Sequence, residues 1–341
     1  MKHNIAFEEH SKVGQVSSAQ PHLSVASDLS KQTTLRRPVS CAGVALHSGK
    51  KVSLALKPAA PNTGVIFVRS DLEGCPEIKA SWDNVIDTKM CTTIGNSEGV
   101  SVATIEHLMA ALSGCHIDNV IVDINDTEVP IMDGSSQPFV FLIECAGVQE
   151  LDQSREVLQV LKPVKVSSNG KTAELSPHST FSVGFEIEFE QHAVSRQEIS
   201  IWLENGAFKK EIARARTFGF MEEVEALRAS GLALGGTLDN AVVVDGEKIL
   251  NDGGLRYSDE FVRHKVLDAV GDLYLAGYPI LGKYTGFRAG HHMNNVLLKA
   301  LFADRSAWKL VDLVNKSNNF ESNAVSYTHL RDHETDSYLV C

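Results

Sequence analysis

The 341-residue sequence predicts an α+β protein with two cores, read as duplicated α+β units. Three observations carry that expectation. The chain is about twice the commonest domain size, which calls for two cores. Strand-like apolar runs are interspersed with helical segments, and a charged junction near Gln149–Glu156 separates two such series. Finally, IDNVIVD leading to IMDG and a Phe-containing helix is echoed by LDNAVVVD leading to LNDG and a helix with Phe261, as duplicated units would be.

The elements follow in order. Residues 1–32 are polar and rich in Ser and Gln, and read as a disordered leader. The first domain is expected at 33–153. It opens with strands at Val52–Pro58 and Gly64–Ser70, separated by the turn-forming Ala-Pro-Asn-Thr-Gly and read as a hairpin. SVATIEHLMAALSG then places Ile105, Leu108, Met109 and Leu112 at helical spacing, with Gly114 as its stop. DNVIVDIN reads as a strand and PFVFLIECAG as a second helix.

The second domain is expected at 154–313. Strands are read around Phe181–Phe189, Glu198–Leu203 and Asn240–Asp245, helices from Met221 to Ser230 and from Ser258 onward. Residues 314–341 read as an unmatched tail, whose end from Val325 resembles translated sequencing-adapter read-through, so its His and Cys residues are given no role.

Composition narrows the function. Hydrophobic residues at 43% and charged residues at 22% describe an ordinary globular chain. The net charge of −11 disfavours a nucleic-acid surface, while leaving room for a local anion site. Six cysteines without paired spacing indicate neither a zinc ribbon nor a disulfide framework, and fit a reducing cytoplasm. No apolar run approaches the roughly 18 residues of a membrane span, and the first residues lack an export signal.

Chemistry is concentrated in a few segments. Glu106 and His107 are adjacent on an otherwise apolar helix, where a structural salt bridge is the plain alternative. His264, Asp268 and Asp272 step by four, which keeps all three within an arc of about 80°. Ion pairing at that spacing is an equally good reading of the first two. His291 and His292 follow Gly290 in a turn-like polar stretch, and Thr217 lies within ARTFGF. Together these form the parts list of a mononuclear zinc hydrolase, in which about three His or carboxylate ligands leave a position for water.

TIEHLMAAL, VPIMDGSSQPF, ARARTFGF, DEFVRHKVLDAVGDL and AGHHMNN together resemble the UDP-3-O-acyl-N-acetylglucosamine deacetylase family, zinc enzymes of bacterial lipid A biosynthesis, from about Thr33 to Leu313. The resemblance implies two similar α+β domains, each a small sheet packed with helices, forming a layered sandwich with the zinc site between them. It implies His107, His264 and Asp268 as ligands of one Zn2+, with Fe2+ the other ion such a site takes. Glu106 would be the general base and His291 the general acid, oriented by Asp272. Thr217 would stabilise the oxyanion, and Lys265 would contact sugar or diphosphate. Phe218, Met221, Val224 and Leu238 would line the substrate's path, the last three in an apolar passage for the acyl chain. The implied substrate is UDP-3-O-[(R)-3-hydroxyacyl]-N-acetylglucosamine, handled by a cytoplasmic monomer with no obligate protein partner.

The rival readings are a zinc amidohydrolase of another substrate and a non-catalytic nucleotide-sugar-binding homologue. A peptidase of the HExxH type is excluded because that motif is absent. AGVALHSGKK is no phosphate loop, since five residues separate Gly43 from Gly49 where four are required.

Overall fold

The structure is a computed structural model that describes residues 30–189 and 194–313. The expected leader up to residue 29 and the tail from 314 lie outside the described residues. The first half contains β1 (Lys31–Leu35), β2 (Val39–Val44), β3 (Lys51–Pro58), β4 (Val65–Arg69) and β5 (Glu77–Lys79). Three short strands, β6 (Val85–Asp87), β7 (Thr93–Gly95) and β8 (Ser101–Val102), precede α1 (Glu106–Gly114), β9 (Val120–Ile124) and α2 (Gln137–Ala146). β10 (Val148–Ser154) then pairs with β1. Two departures from expectation occur here: Lys31 and Gln32, assigned to the leader, are strand residues, and the charged junction is itself a strand.

The second half runs β11 (Glu156–Val160), β12 (Val164–Ser168), β13 (Lys171–Ser176), β14 (Phe181–Glu188) and β15 (Arg196–Trp202). A small unit follows, made of β16 (Phe218–Phe220), α3 (Met221–Ala229), β17 (Val242–Asp245) and β18 (Lys248–Ile249). The half closes with α4 (Glu260–Tyr274), β19 (Ile280–Phe287), α5 (His291–Ala303) and β20 (Trp308–Asp312).

Both halves use one strand plan. In the first sheet β9 lies between β3, to which it is antiparallel, and β4, to which it is parallel, while β2 and β5 pair outside them. In the second, β19 is antiparallel to β13 and parallel to β14, with β12 and β15 outside. Each central strand follows one helix and leads into another, and each half carries a three-stranded extra sheet ahead of the helix that precedes its central strand.

Duplication is therefore present, but it equates β9 with β19. The LDNAVVVD strand is β17 of the extra sheet, so the echo read from sequence joins two strands in different places. Buried strands with a parallel neighbour favour the same Val-rich composition wherever they sit, which is why the two segments look alike.

The expected β3–β4 hairpin is also replaced. β3 forms its hairpin with β2, and β9 occupies the strand-wide gap between β3 and β4. Two strand spacings come to about 10 Å, a distance the Ala59–Gly64 connection easily crosses. α1 does end at Gly114, though not through a left-handed angle there. This glycine keeps α1 close to Phe208, whose ring a Cβ there would overlap, and the left-handed residue is His116, at φ 58°.

Helices fill the space between the sheets. α2 covers β2, α4 covers β14 and β15, α5 covers β12 and β13, and α1 packs directly on α4. Gly271 permits that last approach, because a Cβ on it would overlap the Glu106 carbonyl oxygen.

Beyond α1, His116 gives a stability prediction. Burial, followed by the nearby Arg155 guanidinium, pushes its imidazole pKa down to about 4. Between about pH 6.5 and 4 the unfolded chain holds this proton and the folded chain does not, so stability falls as pH is lowered through that window. Denaturant melts at pH 7.5 and 4.5 should show a larger loss for the parent than for His116→Asn, which tolerates the left-handed backbone. Equal losses would remove His116 as the cause.

Candidate metal centre and active site

α1 is anchored by buried Ile105, Leu108, Met109 and Leu112, and this carries its first residues, Glu106 and His107, into the interior with 4% of each exposed. Thr104, just before the helix, has φ 58°, an uncommon angle for a β-branched residue. Its hydroxyl donates to Glu128 Oε1 at 3.1 Å, and the same carboxylate accepts the backbone N–H groups of His47 and Ser48. The sharp entry into α1 is thus held by a buried anion.

On α4, the step of four places His264, Asp268 and Asp272 on the buried face. Asp268 Oδ1 lies 3.3 Å from His264 Nε2 and 3.7 Å from His107 Nε2. One ligand atom from each of the three side chains falls within 4.8 Å of the others. His264 Nδ1 is 3.1 Å from the Ala215 carbonyl oxygen, which fixes the proton there and leaves Nε2 as a lone-pair donor.

Asp268 Oδ1 is buried and has no hydrogen-bond partner, although Oδ2 accepts from Lys265 Nζ at 2.6 Å. An orphaned carboxylate oxygen facing two imidazole nitrogens is costly unless a cation completes it. Burial, with His264 adding to it, pushes the His107 pKa down to about 3 and keeps that ring neutral. Burial opposes ionisation of Asp268, but His264, Lys265, His291 and His107 outweigh it and hold the carboxyl far below its usual range. Two neutral imidazoles and one carboxylate are a donor set that fits a divalent cation of the zinc type.

Glu106 and His291 flank this cluster. Burial, partly offset by His291 and reinforced by Asp268 and Asp272, pushes the Glu106 carboxyl up to about 7. Burial also acts against a charged His291, yet Asp272 and Glu106 raise its pKa to about 10. His291 Nδ1 is 2.9 Å from Asp272 Oδ2, which turns Nε2 inward, 3.8 Å from Glu106 Oε1. His292 is exposed, with Nδ1 3.4 Å from the Thr88 hydroxyl. The pair was expected in a turn-like stretch, but it forms the first turn of α5.

A cavity of about 760 Å³ opens beside His291 and Lys265. Lys89, Lys171 and Arg288 line it together with Phe189. Their cationic clustering was not visible in sequence, because the three residues come from three distant segments. Phe218 packs edge-on against Phe261 and also against His264, with ring centroids 4.8 and 6.3 Å apart, and Lys265 Nζ lies 5.8 Å from its ring.

Thr217 is half-buried, its backbone pinned between the Gly134 carbonyl and the Val242 N–H. Met221 and Val224 are half-buried positions of α3, which directly follows the strand that carries Phe218. Leu238 stands in the loop before β17 with 46% exposure. Thr92 and Asn294, missed in sequence, are buried against Asp272.

An α+β scaffold that brings two histidines and a carboxylate together, with a second carboxylate and an Asp-paired histidine beside them, has the equipment of a mononuclear metal hydrolase. The family model described as LpxC, UDP-3-O-acyl N-acetylglycosamine deacetylase, matches residues 32–303, and the chain belongs to that family. It is 49% identical over 292 residues to the UDP-3-O-acyl-N-acetylglucosamine deacetylase of Acidithiobacillus ferrooxidans, covering 85% of this chain and 96% of that protein. It is 51% identical over 283 residues to the deacetylase of the same name from Idiomarina loihiensis, covering 82% and 92%. To that of Shewanella sp. (strain W3-18-1) it is 48% identical over 289 residues, covering 84% and 94%. Among the described residues no helix is long and apolar enough to cross a membrane.

Proposed function

We propose that this chain hydrolyses the 2-N-acetyl group of UDP-3-O-[(R)-3-hydroxyacyl]-N-acetylglucosamine in lipid A biosynthesis, releasing acetate and the free amine. The observation that carries the reading is the buried His107–His264–Asp268 cluster flanked by Glu106 and His291, in a chain close to half identical to deacetylases of that name. Zn2+ is the ion assigned to the cluster, with Fe2+ the alternative for the same donors. A cation held there supplies Lewis-acid polarisation of the amide carbonyl and makes water more acidic.

The remaining work falls to side chains. Glu106, with a pKa near neutrality, takes a proton from the water that attacks the carbonyl carbon. As the C–N bond breaks, His291 passes its Nε2 proton to the leaving nitrogen, and Asp272 stabilises the imidazolium that does so. Thr217 is assigned the donor to the developing oxyanion. Lys265, together with Lys89, Lys171 and Arg288 around the cavity, suits the diphosphate of a UDP-sugar. Met221, Val224 and Leu238 serve the apolar acyl chain, and Phe218 lines the substrate's path. In this reading the domains are 33–153 and 154–313, the extra unit with α3 carries the acyl passage, and the enzyme acts as a cytoplasmic monomer.

The test is acetate release from the 3-O-(3-hydroxymyristoyl) substrate by chelator-treated protein, before and after addition of about one equivalent of zinc. Release should be lost with the metal and restored with it. A folded, zinc-loaded sample that releases none would overturn the reading.

A further inference from the structure

We infer that Thr92 is a positioning residue that fixes the general base and the acid's carboxylate partner in one frame, an inference that rests on the deacetylase reading above. Thr92 precedes β7 and is 2% exposed. Its backbone N–H donates to Glu106 Oε2 at 3.0 Å. Its hydroxyl donates to Asp272 Oδ1 at 2.5 Å, and its carbonyl accepts the Ile105 N–H at 3.4 Å. Glu106 belongs to α1 and Asp272 to α4, so this one residue adds a hydrogen-bonded tie between their side chains to the backbone packing of the two helices.

The hydroxyl matters because of what occupies the other Asp272 oxygen. Oδ2 accepts from His291 Nδ1 at 2.9 Å and from Asn294 Nδ2 at 2.8 Å, while the Tyr284 hydroxyl donates to Asn294 Oδ1 at 2.6 Å. Asp272, Asn294 and Tyr284 are all buried. With both oxygens engaged, the Asp272 carboxylate cannot turn about its Cβ–Cγ bond without breaking bonds on both sides. Removing the Thr92 hydroxyl leaves Oδ1 without its donor in a buried site, and the carboxylate then turns toward other partners. The His291 ring loses its fixed direction, although Glu106 keeps its backbone donor.

Thr92→Val preserves the shape of the side chain and deletes the donor, whereas Thr92→Ser retains it. In zinc-loaded full-length protein, Thr92→Val is expected to lower kcat about 10- to 100-fold, with KM and metal content unchanged and the melting temperature lower by a few degrees, because a buried carboxylate oxygen loses its donor. Thr92→Ser should recover most of the rate. The proton resonance of His291 Nδ1–H, assigned by its absence in His291→Asn, should move in Thr92→Val and return in Thr92→Ser. A Thr92→Val protein with parental kcat and an unmoved resonance would overturn the inference. So would a fall of kcat and melting temperature with a raised KM that serine does not rescue, since that marks a packing residue. A parent without turnover would instead sink the deacetylase reading, and the resonance would still decide the role of Thr92.

Discussion

Glu106→Gln is expected to lower kcat by about 10²- to 10⁴-fold, the usual weight of a general base, while the protein keeps its metal. The amide has the size of the carboxylate and still accepts the Thr92 N–H bond, so the first turn of α1 stays in place. What is lost is the ability to take a proton. None of the three grouped ligand atoms belongs to Glu106, so the cation retains all of its protein donors. Asp268→Ala is the contrasting variant: it removes the only anionic member of the cluster, and both metal and turnover should disappear. Metal content and steady-state rates on the same preparations separate the two cases. Parental turnover in Glu106→Gln would show that another group accepts the proton.

Gly271→Ala is the second large effect, and here sequence rules and packing predict opposite signs. Within a helix, alanine is better than glycine by about 1 kcal/mol. At this position the added methyl would strike the backbone carbonyl of Glu106, which has no side-chain freedom to move aside. Overpacking against so rigid a neighbour costs about 3 kcal/mol, enough to reverse the helix preference and lower the melting temperature by several degrees. The strain also separates α1 from α4, so zinc affinity should fall alongside stability. A Gly271→Ala protein that melts higher than its parent would show that the helices do not touch there.

Much of the centre was legible in sequence because its chemistry is local. The step of four on α4 already placed His264, Asp268 and Asp272 on one face, and Glu106-His107 stood out on an apolar helix. Helix periodicity also identified α1 and α2, and the strand at DNVIVDIN. What spacing could not supply was convergence: α1 and α4 meet through Gly271, whose role depends on a carbonyl far away in the chain.

The strand order was hidden for the same reason. β9 enters between β3 and β4 only after a helix has intervened, so adjacent strands looked like partners. Thr92 gave no signal at all, since a lone threonine in a polar loop is ordinary until two buried carboxylates are seen to depend on it. Lys89, Lys171 and Arg288 are likewise ordinary surface cations until the fold gathers them around one cavity.

The distance along the chain between the two contributing helices also bears on when the cation can be acquired. His107 and His264 are more than 150 residues apart. At roughly 5–20 residues per second, a ribosome needs on the order of 10 to 30 seconds to pass from one to the other. Throughout that interval the nascent polypeptide holds one of the three grouped ligands, so the donor set stays incomplete before synthesis of α4. The donor set is complete only once α1 and α4 have packed together, so metal stoichiometry should report how many molecules have finished assembling.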